Sequence, residues 1–313
     1  MVIYIISDEK KGHLSQTRGL AGALLKSAQE KQPTSQHSVH EISIVGKTWF
    51  SRLFYKGKDL DLPEPSLILC AGHSTHLAAI SLARHKKCPI IVCMKPSLPL
   101  SMFDLCVLPR HDIPEGKSPE ANVFLTNGAI NNIKPQPEVE KKETLILIGG
   151  PSKEFDWDAE TVLNQLTTIV RHSTNNIVLT TSRRTPKDFV KDVTAACPSI
   201  RVDPVETTGP NWVAEHLASA KEVWVTQDSV SMVFESLSSG APVGLIEMKR
   251  KRSKKEGKIS RVSRGLNMLA QDGDVCTFTD WAKSHHLPSP NKCFDEAGRA
   301  AAYIIERFPA LLN

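Results

Sequence analysis

The chain has 313 residues, of which 40% are hydrophobic, and its formal net charge is +5. A chain of this length exceeds one ordinary hydrophobic core, so two domains are expected. Much of the positive excess lies in one run, residues 249–258, which carries seven Lys or Arg against one Glu. Such a run attracts phosphates or anionic lipid, but a charge this modest and this local excludes a dedicated nucleic-acid-binding protein.

The amino terminus enters a strand-like segment without a basic leader, and no long apolar segment follows, so neither a secretory signal nor a membrane span is expected. The seven cysteines form no CxxC pair and no metal-ligand spacing, which indicates reduced thiols. These features predict a cytoplasmic protein. Peripheral contact of the basic run with an anionic membrane, at its inner face, is an alternative to a solvated loop.

Strand-like and helix-like segments alternate along the first half of the chain. Strands are predicted at residues 2–6, 40–45, 67–70, 89–93, 105–108 and 122–125, and helices at residues 14–29 and 75–85. This alternation predicts a mainly parallel sheet with helices on both faces.

An aromatic stripe interrupts this pattern. Trp49, Phe50, Leu53 and Phe54 fall at helical spacing and are accompanied by basic residues. The spacing predicts packing into the core, and a membrane-facing patch is the alternative.

The pattern restarts after a polar, proline-interrupted linker at residues 134–142. Strands are predicted at residues 144–148, 177–181, 200–202, 223–226 and 242–246, and helices at residues 159–171, 186–196, 212–218, 230–237, 262–269 and 295–307. The predicted domains are residues 1–138 and 139–290, and the final helix in residues 291–313 packs back on the first domain.

Three loops in the second half place polar groups just beyond a strand. Gly149 to Ser152 follow one strand and offer backbone N–H groups, and the alternative is a plain tight turn. Ser182, Arg183 and Arg184 follow another strand and suit phosphate oxygens, because guanidinium groups offer paired donors. The alternative is a solvated loop.

The third loop contains Thr226, Asp228 and Ser229 and opens a helix that carries Glu235. In the simplest interpretation Asp228 or Ser229 caps this helix. A carboxylate such as that of Glu235 also accepts two hydrogen bonds from a vicinal diol, as a ribose presents. Two Asp-x-Asp sequences, at residues 59–61 and 156–158, lie in polar segments and are not predicted to bind a metal.

The first half contains two comparable loops. Asp8 to His13 lie between the first strand and its helix. His13 is a candidate general base, and Asp8 or Glu9 is the alternative. Gly72 and His73 follow the strand at residues 67–70 and are expected to line the same cleft. The alternative for His13 is an ordinary residue at a helix start.

With these residues identified, the chain resembles the mitochondrial fission ELM-type family, whose members are grouped with glycosyltransferases. The resemblance spans nearly the whole chain and is carried by Lys11-Gly12-His13 with Gln16, by Gly149-Gly150-Pro151, by Thr181-Ser182-Arg183-Arg184-Thr185-Pro186, and by Thr226-Gln227-Asp228-Ser229-Val230-Ser231-Met232 with Glu235. That family in turn resembles the GT-B glycosyltransferases.

The resemblance implies an α/β fold of two Rossmann-like domains that face each other across a cleft. It implies that the second domain binds a nucleoside-diphosphate sugar, for which UDP is one candidate nucleotide. The residues implied are Gly149, Gly150, Ser152, Ser182, Arg183, Arg184, Thr226, Asp228, Ser229, Met232 and Glu235. It implies an acceptor site at Gly12, Gln16, Gly72 and His73, with His13 or Asp8 as the base. Neither a metal nor a further cofactor is implied.

The resulting hypothesis is a metal-independent glycosyltransferase that moves a sugar to a saccharide or lipid-linked acceptor of the cell envelope, such as a lipopolysaccharide core. Two alternatives belong to other classes. One is a non-catalytic recruitment protein of the mitochondrial-fission type on the same scaffold. The other is a nucleotide-sugar epimerase.

Overall fold

The computed structural model describes residues 1–57, 60–114, 116–251, 260–290 and 294–312. The chain forms two compact units, of which unit 1 is Met1–Asn132 with Asp295–Asn313 and unit 2 is Ile133–Phe294. Three features of the sequence, namely Asp59, Cys293 and the part of the basic run from residue 252 to residue 258, lie outside the described residues. None of the described helices is both long enough and apolar enough to cross a bilayer.

Unit 1 contains a six-stranded sheet in the order β2-β1-β3-β4-β5-β6, in which every neighbouring pair is parallel. Its strands are β1 (Val2–Ser7), β2 (Ser38–Ser43), β3 (Leu67–Ala71), β4 (Ile90–Cys93), β5 (Leu105–Pro109) and β6 (Val123–Thr126). Its helices are α1 (Lys11–Lys31), α2 (Trp49–Leu53), α3 (His76–Lys86) and α10 (Glu296–Arg307).

Alternate residues of the strands enter opposite cores because successive side chains of a strand point to opposite faces. Ile3 and Ile5 of β1 pack in one cluster with α1 and α10, and Tyr4 and Ile6 pack in the other cluster with α3. Both faces of the sheet are therefore covered, as expected for a parallel sheet built from apolar runs.

The last helix of the chain is fastened to unit 1 at its first turn. The buried carboxylate of Glu296 accepts hydrogen bonds from Asn127, through the backbone N–H at 2.8 Å and through Nδ2 at 2.9 Å. Further along α10, Ala300, Ala301 and Ile304 are fully buried in the cluster that includes α1.

Unit 2 contains a second six-stranded parallel sheet, in the order β12-β11-β10-β7-β8-β9. Its strands are β7 (Glu143–Leu147), β8 (Asn176–Thr180), β9 (Arg201–Asp203), β10 (Ala220–Thr226), β11 (Val243–Ile246) and β12 (Cys276–Thr277). Its helices are α4 (Ala159–His172), α5 (Phe189–Ala196), α6 (Trp212–Ser219), α7 (Val230–Ser238), α8 (Arg261–Gln271) and α9 (Phe278–Ser284). The predicted α/β class is confirmed, and β12 and α9 are elements that the sequence did not predict.

Two local predictions are wrong. Helix α1 begins at Lys11, three residues earlier than predicted, so Gly12 and His13 lie in its first turn and not in a loop. The aromatic stripe is not part of the core, since α2 contains no buried residue and Trp49 and Phe50 are 61% and 68% exposed. The reason is length: a helix of five residues is too short to cover the sheet, and α3 covers that face instead.

Two glycines of α1 offer a matched test of how this helix packs. A Cβ added at Gly19 would lie 2.1 Å from the carbonyl oxygen of Asn131, whereas a Cβ at Gly22 would meet nothing within 4 Å. We expect Gly19→Ala to lower the free energy of unfolding by about 2 kcal/mol through overpacking. Gly22→Ala should raise it by up to about 1 kcal/mol, because Ala is the better helix former. Urea denaturation measures both, and equal effects would contradict the close approach at Gly19.

Candidate functional site

Each sheet has one position at which the strand order reverses. In unit 1, β1 lies between β2 and β3, and in unit 2, β7 lies between β8 and β10. Loops that leave the two neighbours at such a position diverge to opposite faces, which leaves room for a ligand at the carboxyl ends of the strands. The polar loops identified in the sequence follow β1 and β3 in unit 1, and β7, β8 and β10 in unit 2.

In unit 1 the carboxylate of Asp8 contacts three side chains at the carboxyl edge of the sheet. Its Oδ1 lies 2.8 Å from Nδ1 of His13. Its Oδ2 accepts a hydrogen bond from the Ser74 hydroxyl at 2.8 Å and forms an ion pair with Nζ of Lys10 at 3.2 Å. Burial alone raises the pKa of Asp8, but the hydrogen bonds from His13, Ser74 and Lys10 outweigh it and lower the pKa to about 2. Asp8 is therefore a permanent anion beside the His13 ring.

This pairing decides which nitrogen of His13 is available for chemistry. With Nδ1 bound to a carboxylate, the neutral ring carries its proton there and leaves the Nε2 lone pair free. Within the described parts of the chain no group hydrogen bonds to Nε2. Asp8 thus positions the ring, and His13 rather than Asp8 is the candidate base.

Gly72 is required for this arrangement. It has a φ of +87°, and a Cβ there would lie 2.3 Å from Cε1 and Nδ1 of His13. The loop after β3 therefore touches the His13 ring only because residue 72 has no side chain. Its neighbour His73 is exposed, Gln16 is buried one turn further along α1, and a Cβ at Gly12 would meet nothing within 4 Å.

Sequence reasoning missed two residues of this edge. Ser74 was passed over although it directly follows His73, and its role depends on the side chain of Asp8 in another loop. His76, in the first turn of α3, is buried against Phe103, and its pKa is lowered to about 4 by burial and by the nearby His73 and His13. The sequence indicated only that His76 lies at the start of a helix after the loop that contains Gly72 and His73. It did not indicate the contact with Phe103.

In unit 2 a second buried carboxylate joins three loops. The side chain of Asp228, which follows β10, is completely buried, and its Oδ2 lies 2.6 Å from Nη2 of Arg184. The same oxygen accepts a hydrogen bond from the backbone N–H of Gly150 at 3.1 Å. Arg184 also donates to the carbonyl oxygens of Gly150 and Pro151, at 3.2 and 3.1 Å. The loops after β7, β8 and β10 are thereby held at one charge pair.

The glycine pair after β7 has a different role from the predicted one. The N–H of Gly149 donates to the Thr226 hydroxyl at 2.7 Å, and that of Gly150 donates to Asp228. Both amides are thus engaged within the protein, and the prediction that they cradle a diphosphate is wrong in that form. The glycines instead permit close approach, since a Cβ at Gly149 would lie 2.1 Å from Asp228 Oδ1 and one at Gly150 would lie 2.2 Å from the carbonyl oxygen of Arg184.

The hydroxyl groups of these loops are also occupied. The Ser152 hydroxyl accepts hydrogen bonds from the backbone N–H groups of Glu154 and Phe155, at 3.2 and 3.0 Å. Thr185 donates to the carbonyl oxygen of Ile148 at 3.1 Å and accepts from the backbone N–H of Ser182 at 2.9 Å. The Thr185 hydroxyl thereby ties the loop after β8 to the end of β7, a role that the sequence motif did not indicate.

The amino-terminal end of α7, by contrast, has no side-chain cap from Ser229 and no other cap among the described residues. Ser229 occupies the capping position without a side-chain hydrogen bond to the helix, and the first turn contains no acidic residue. The prediction that Asp228 or Ser229 caps α7 is therefore wrong, because Asp228 is turned into the pair with Arg184. The free N–H groups and the positive end of the helix dipole suit an anion. Arg183 in the adjacent loop is exposed, and no described residue pairs with it.

Glu235 lies on α7 between the buried residues Phe234 and Ser236 and is itself only partly exposed. Burial raises its pKa from 4.5 to about 7. Across the described segments no side chain or backbone group donates to its carboxylate. Met232, one turn earlier on the same helix, is also partly exposed. A carboxylate that is partly desolvated without compensation is typical of a binding site.

Metal binding receives no support from the geometry. Among the described residues, no three His, Cys, Asp or Glu side chains are grouped so that they could hold an ion. Asp158 of the second Asp-x-Asp sequence instead caps α4 by accepting a hydrogen bond from the backbone N–H of Thr161 at 3.1 Å.

The anionic state of Asp8 predicts a pH-dependent contribution to stability. A lowered pKa stabilises the fold fully above the unfolded value of 3.8, and this stabilisation disappears as the pH falls through about 2. We expect Asp8→Asn to lower the free energy of unfolding by about 2 kcal/mol near neutral pH and to cost progressively less in acid. Urea denaturation across pH tests this, with the exposed Asp61→Asn as control. A cost that stays constant with pH would contradict the assignment.

Glu235 predicts the opposite sign. Its raised pKa leaves stability intact below the unfolded value of 4.5, and stability is lost as the pH rises through about 7. Glu235→Gln removes that penalty, so we expect this variant to exceed the wild type by about 2 kcal/mol in free energy of unfolding above the folded pKa. The exposed Glu215→Gln in α6 serves as the control. A destabilised Glu235→Gln would show that the carboxylate has an internal partner.

The whole chain is similar in fold to several solved structures. The UDP-GlcNAc 2-epimerase from Neisseria meningitidis, solved bound to UDP-GlcNAc, superimposes with a TM-score of 0.55 at 12% identity, and the match covers 99% of each chain. MurG from Acinetobacter baumannii gives a TM-score of 0.54 at 10% identity, again with 99% of each chain covered. AviGT4, a glycosyltransferase involved in avilamycin A biosynthesis, gives 0.53 at 14% identity, with 100% of this chain and 98% of the other covered. The fold is thus of the GT-B type.

Sequence similarity identifies the family. The uncharacterized protein RP120 of Rickettsia prowazekii (strain Madrid E) is 27% identical over 231 residues, and the match covers 59% of this chain and 65% of the relative. This chain therefore matches about two thirds of that relative's length. Residues 11–308 match the family described as Mitochondrial fission ELM1. That match includes the polar loops of unit 2 and, in unit 1, His13 and Gly72 but not Asp8, and the chain belongs to the Mitochondrial fission ELM1 family.

Proposed function

We propose that the protein is a glycosyltransferase that uses a nucleoside-diphosphate sugar as donor. The observation that carries the proposal is Glu235, a partly buried carboxylate with a raised pKa and no partner among the described residues. A protein retains such a group at a cost in stability when the missing hydrogen-bond donors belong to a ligand. The vicinal hydroxyls of a ribose supply two donors to one carboxylate.

The remaining groups of unit 2 complete a donor site in this proposal. The uncapped end of α7 at Ser229 and the unpaired guanidinium of Arg183 bind the diphosphate, since both present positive charge and N–H donors. Arg184, Asp228 and the glycines after β7 act by holding the three loops in place. Met232 and Ser182 line the same edge. UDP is the nucleotide with which the proposal is first tested.

Unit 1 binds the acceptor in this proposal, and His13 is the base. Nε2 of His13 removes the proton of an acceptor hydroxyl while that oxygen bonds to the anomeric carbon of the donor sugar. The bond between this carbon and the diphosphate oxygen breaks, and the leaving diphosphate retains the electron pair. Asp8 stabilises the imidazolium that forms, and positive charge at α7 stabilises the diphosphate.

The acceptor in this proposal is a saccharide or lipid-linked saccharide of the cell envelope, and Gly12, Gln16, Gly72 and His73 surround it. In this proposal the reaction takes place in the cytoplasm, because the nucleotide-sugar donor is available there. No step requires a metal, because cationic side chains and a helix terminus perform the charge stabilisation.

Calorimetric titration with UDP tests the donor site. We expect Glu235→Gln to weaken UDP binding by about tenfold to a hundredfold, because one or two hydrogen bonds to a charged group are lost. Arg183→Gln should weaken UDP and UDP-sugar binding by a similar factor but leave uridine binding unchanged. The controls are Glu215→Gln in α6 and Arg171→Gln in α4, which remove equivalent charges from other faces of unit 2. Absence of nucleotide binding by the wild type, or full binding by Glu235→Gln, would contradict the proposal.

The same protein separates transfer from epimerisation. Incubation with UDP-GlcNAc in the absence of an acceptor, followed by NMR of the sugar, should return the donor unchanged or slowly hydrolysed. Appearance of an epimer without any acceptor would replace transfer by epimerisation as the function of this site.

A further inference from the structure

A cluster of large apolar side chains lies on the surface of unit 1, where β2 ends and α2 follows. Val45 is 57% exposed, Trp49 61%, Phe50 68% and Phe54 63%. We call these four residues the α2 patch. Among the described residues they are the large hydrophobic side chains that are extensively exposed. Their clustering within ten positions of the sequence distinguishes them from the scattered apolar residues that surfaces normally contain.

The α2 patch is held in place from beneath. Arg52, on the inward side of α2, donates to the carbonyl oxygens of Ile44 and Ser74, both at 3.4 Å. Thr48 caps the helix by accepting a hydrogen bond from the backbone N–H of Ser51 at 3.3 Å. Tyr55 directly after the helix is buried in the core of unit 1. The short helix is therefore fixed with its rings outward.

The rings form one continuous surface. The Trp49 and Phe50 ring centroids are 5.5 Å apart, and those of Phe50 and Phe54 are 6.0 Å apart. Aromatic side chains at the edge of a protein are preferred at the level of lipid headgroups, where one side of the ring meets acyl chains and the other meets polar groups.

The segment that carries the α2 patch contains cations and no acid, and the neighbouring carboxylate of Glu9 is hydrogen bonded to Ser43 at 2.7 Å. Residues 42–57 contain Lys47, Arg52 and Lys56 and no Asp or Glu. Lys56 is exposed, and the Lys47 ammonium lies 4.9 Å from the centre of the Tyr55 ring. The nearest acid before this segment, Glu41, is paired with Arg18 at 2.5 Å. An apolar surface whose own segment carries Lys47 and Lys56 complements an anionic bilayer, in which phosphates lie above acyl chains.

The α2 patch is continuous with the candidate acceptor site. Arg52 of α2 binds the carbonyl oxygen of Ser74, and the hydroxyl of Ser74 binds the carboxylate of Asp8 at 2.8 Å. Asp8 in turn positions His13. A membrane surface against α2 would thus lie next to the loops that hold the proposed base.

We propose that the α2 patch docks unit 1 on an anionic lipid bilayer, with the rings at the headgroup level and Lys47 and Lys56 against lipid phosphates. Docking presents the edge formed by Asp8, Ser74 and His13 to an acceptor that is anchored in the same bilayer. The docking step rests on the α2 patch alone, whereas the choice of a lipid-anchored acceptor rests on the proposed function.

Vesicle sedimentation with the full chain tests docking. The probe is phosphatidylcholine vesicles with or without phosphatidylglycerol, and we expect binding to the anionic vesicles that decreases with added salt. The double variant Phe50→Ser, Phe54→Ser should reduce the partition coefficient about fiftyfold, because two rings leave the interface. The double variant Phe50→Trp, Phe54→Trp keeps the aromatic surface and should bind at least as well as the wild type.

The charge contribution has its own matched pair. Lys56→Gln should reduce binding to anionic vesicles about fivefold, and Lys26→Gln, an exposed lysine of α1 in the same unit, should leave it unchanged. Equal losses for the two lysines would show attraction by overall charge instead of docking at α2, and would overturn the proposal.

Trp49 reports the position of the α2 patch directly. Addition of anionic vesicles should shift the tryptophan emission to shorter wavelength, and Trp49→Phe should abolish the shift while sedimentation persists. The proposal is overturned if the two Ser substitutions leave vesicle binding unchanged. It is also overturned if the wild type ignores vesicles and forms a dimer that these substitutions dissociate, since the occupant is then a second copy of the chain.

UDP calorimetry on the Phe50→Ser, Phe54→Ser variant separates this inference from the proposed function. Retained UDP binding with lost vesicle binding supports both. Vesicle binding by a wild type that binds no nucleotide supports docking and contradicts the transferase. Circular dichroism and urea denaturation should match the wild type, because the substituted side chains are exposed.

Discussion

The buried carboxylate of Asp228 is the constraint on which the edge of the second sheet depends. A charge without solvent is tolerated only when it is paired and hydrogen bonded, so Arg184 and the backbone of Gly150 must approach it. That approach brings the loops after β7, β8 and β10 together and requires that residues 149 and 150 have no side chain. The backbone N–H groups of Gly149 and Gly150 and the guanidinium of Arg184, which the sequence motifs suggested as ligand contacts, instead hold the loops together. In the proposed function the groups that bind the ligand are the neighbouring ones, Arg183 and the amino-terminal end of α7.

Unit 1 repeats this logic with a different outcome. Asp8 also follows a central strand and is also paired. Burial raises the pKa of Asp8, but hydrogen bonds from His13, Ser74 and Lys10 outweigh burial and lower it. The result is an anion that orients a histidine whose other ring nitrogen has no hydrogen-bond partner in the described part of the chain. Glu235 differs from both aspartates. It is partly buried, no described group pairs with it, and its pKa is raised. Burial without a described hydrogen-bond donor disfavours the charged form of Glu235, and in the proposed function the ligand supplies the donors.

The α2 patch shows why apolar periodicity is ambiguous in a short segment. Trp49, Phe50 and Phe54 have the spacing of a core helix, yet the face of the sheet that α2 approaches is already covered by α3. Whether a stripe is buried depends on the space that other elements leave, and that space is not encoded locally. The cations beside it were equally visible in the sequence, and their meaning changed only once the rings were found at the surface.

The sequence by itself determined the α/β class, most helices and strands, and the polar loops at the strand ends, because local periodicity and turn residues encode these features directly. It also singled out Glu235, Asp8 and His13 by position. Only the tertiary structure decided which side chains contact one another, since strand order determines which loops meet. Adjacency of β7 and β10 made Asp228 an internal anchor in place of a helix cap, and adjacency of β1 and β3 brought Ser74 to Asp8. Pairing between distant residues fixes which polar groups are satisfied internally and which remain for a ligand.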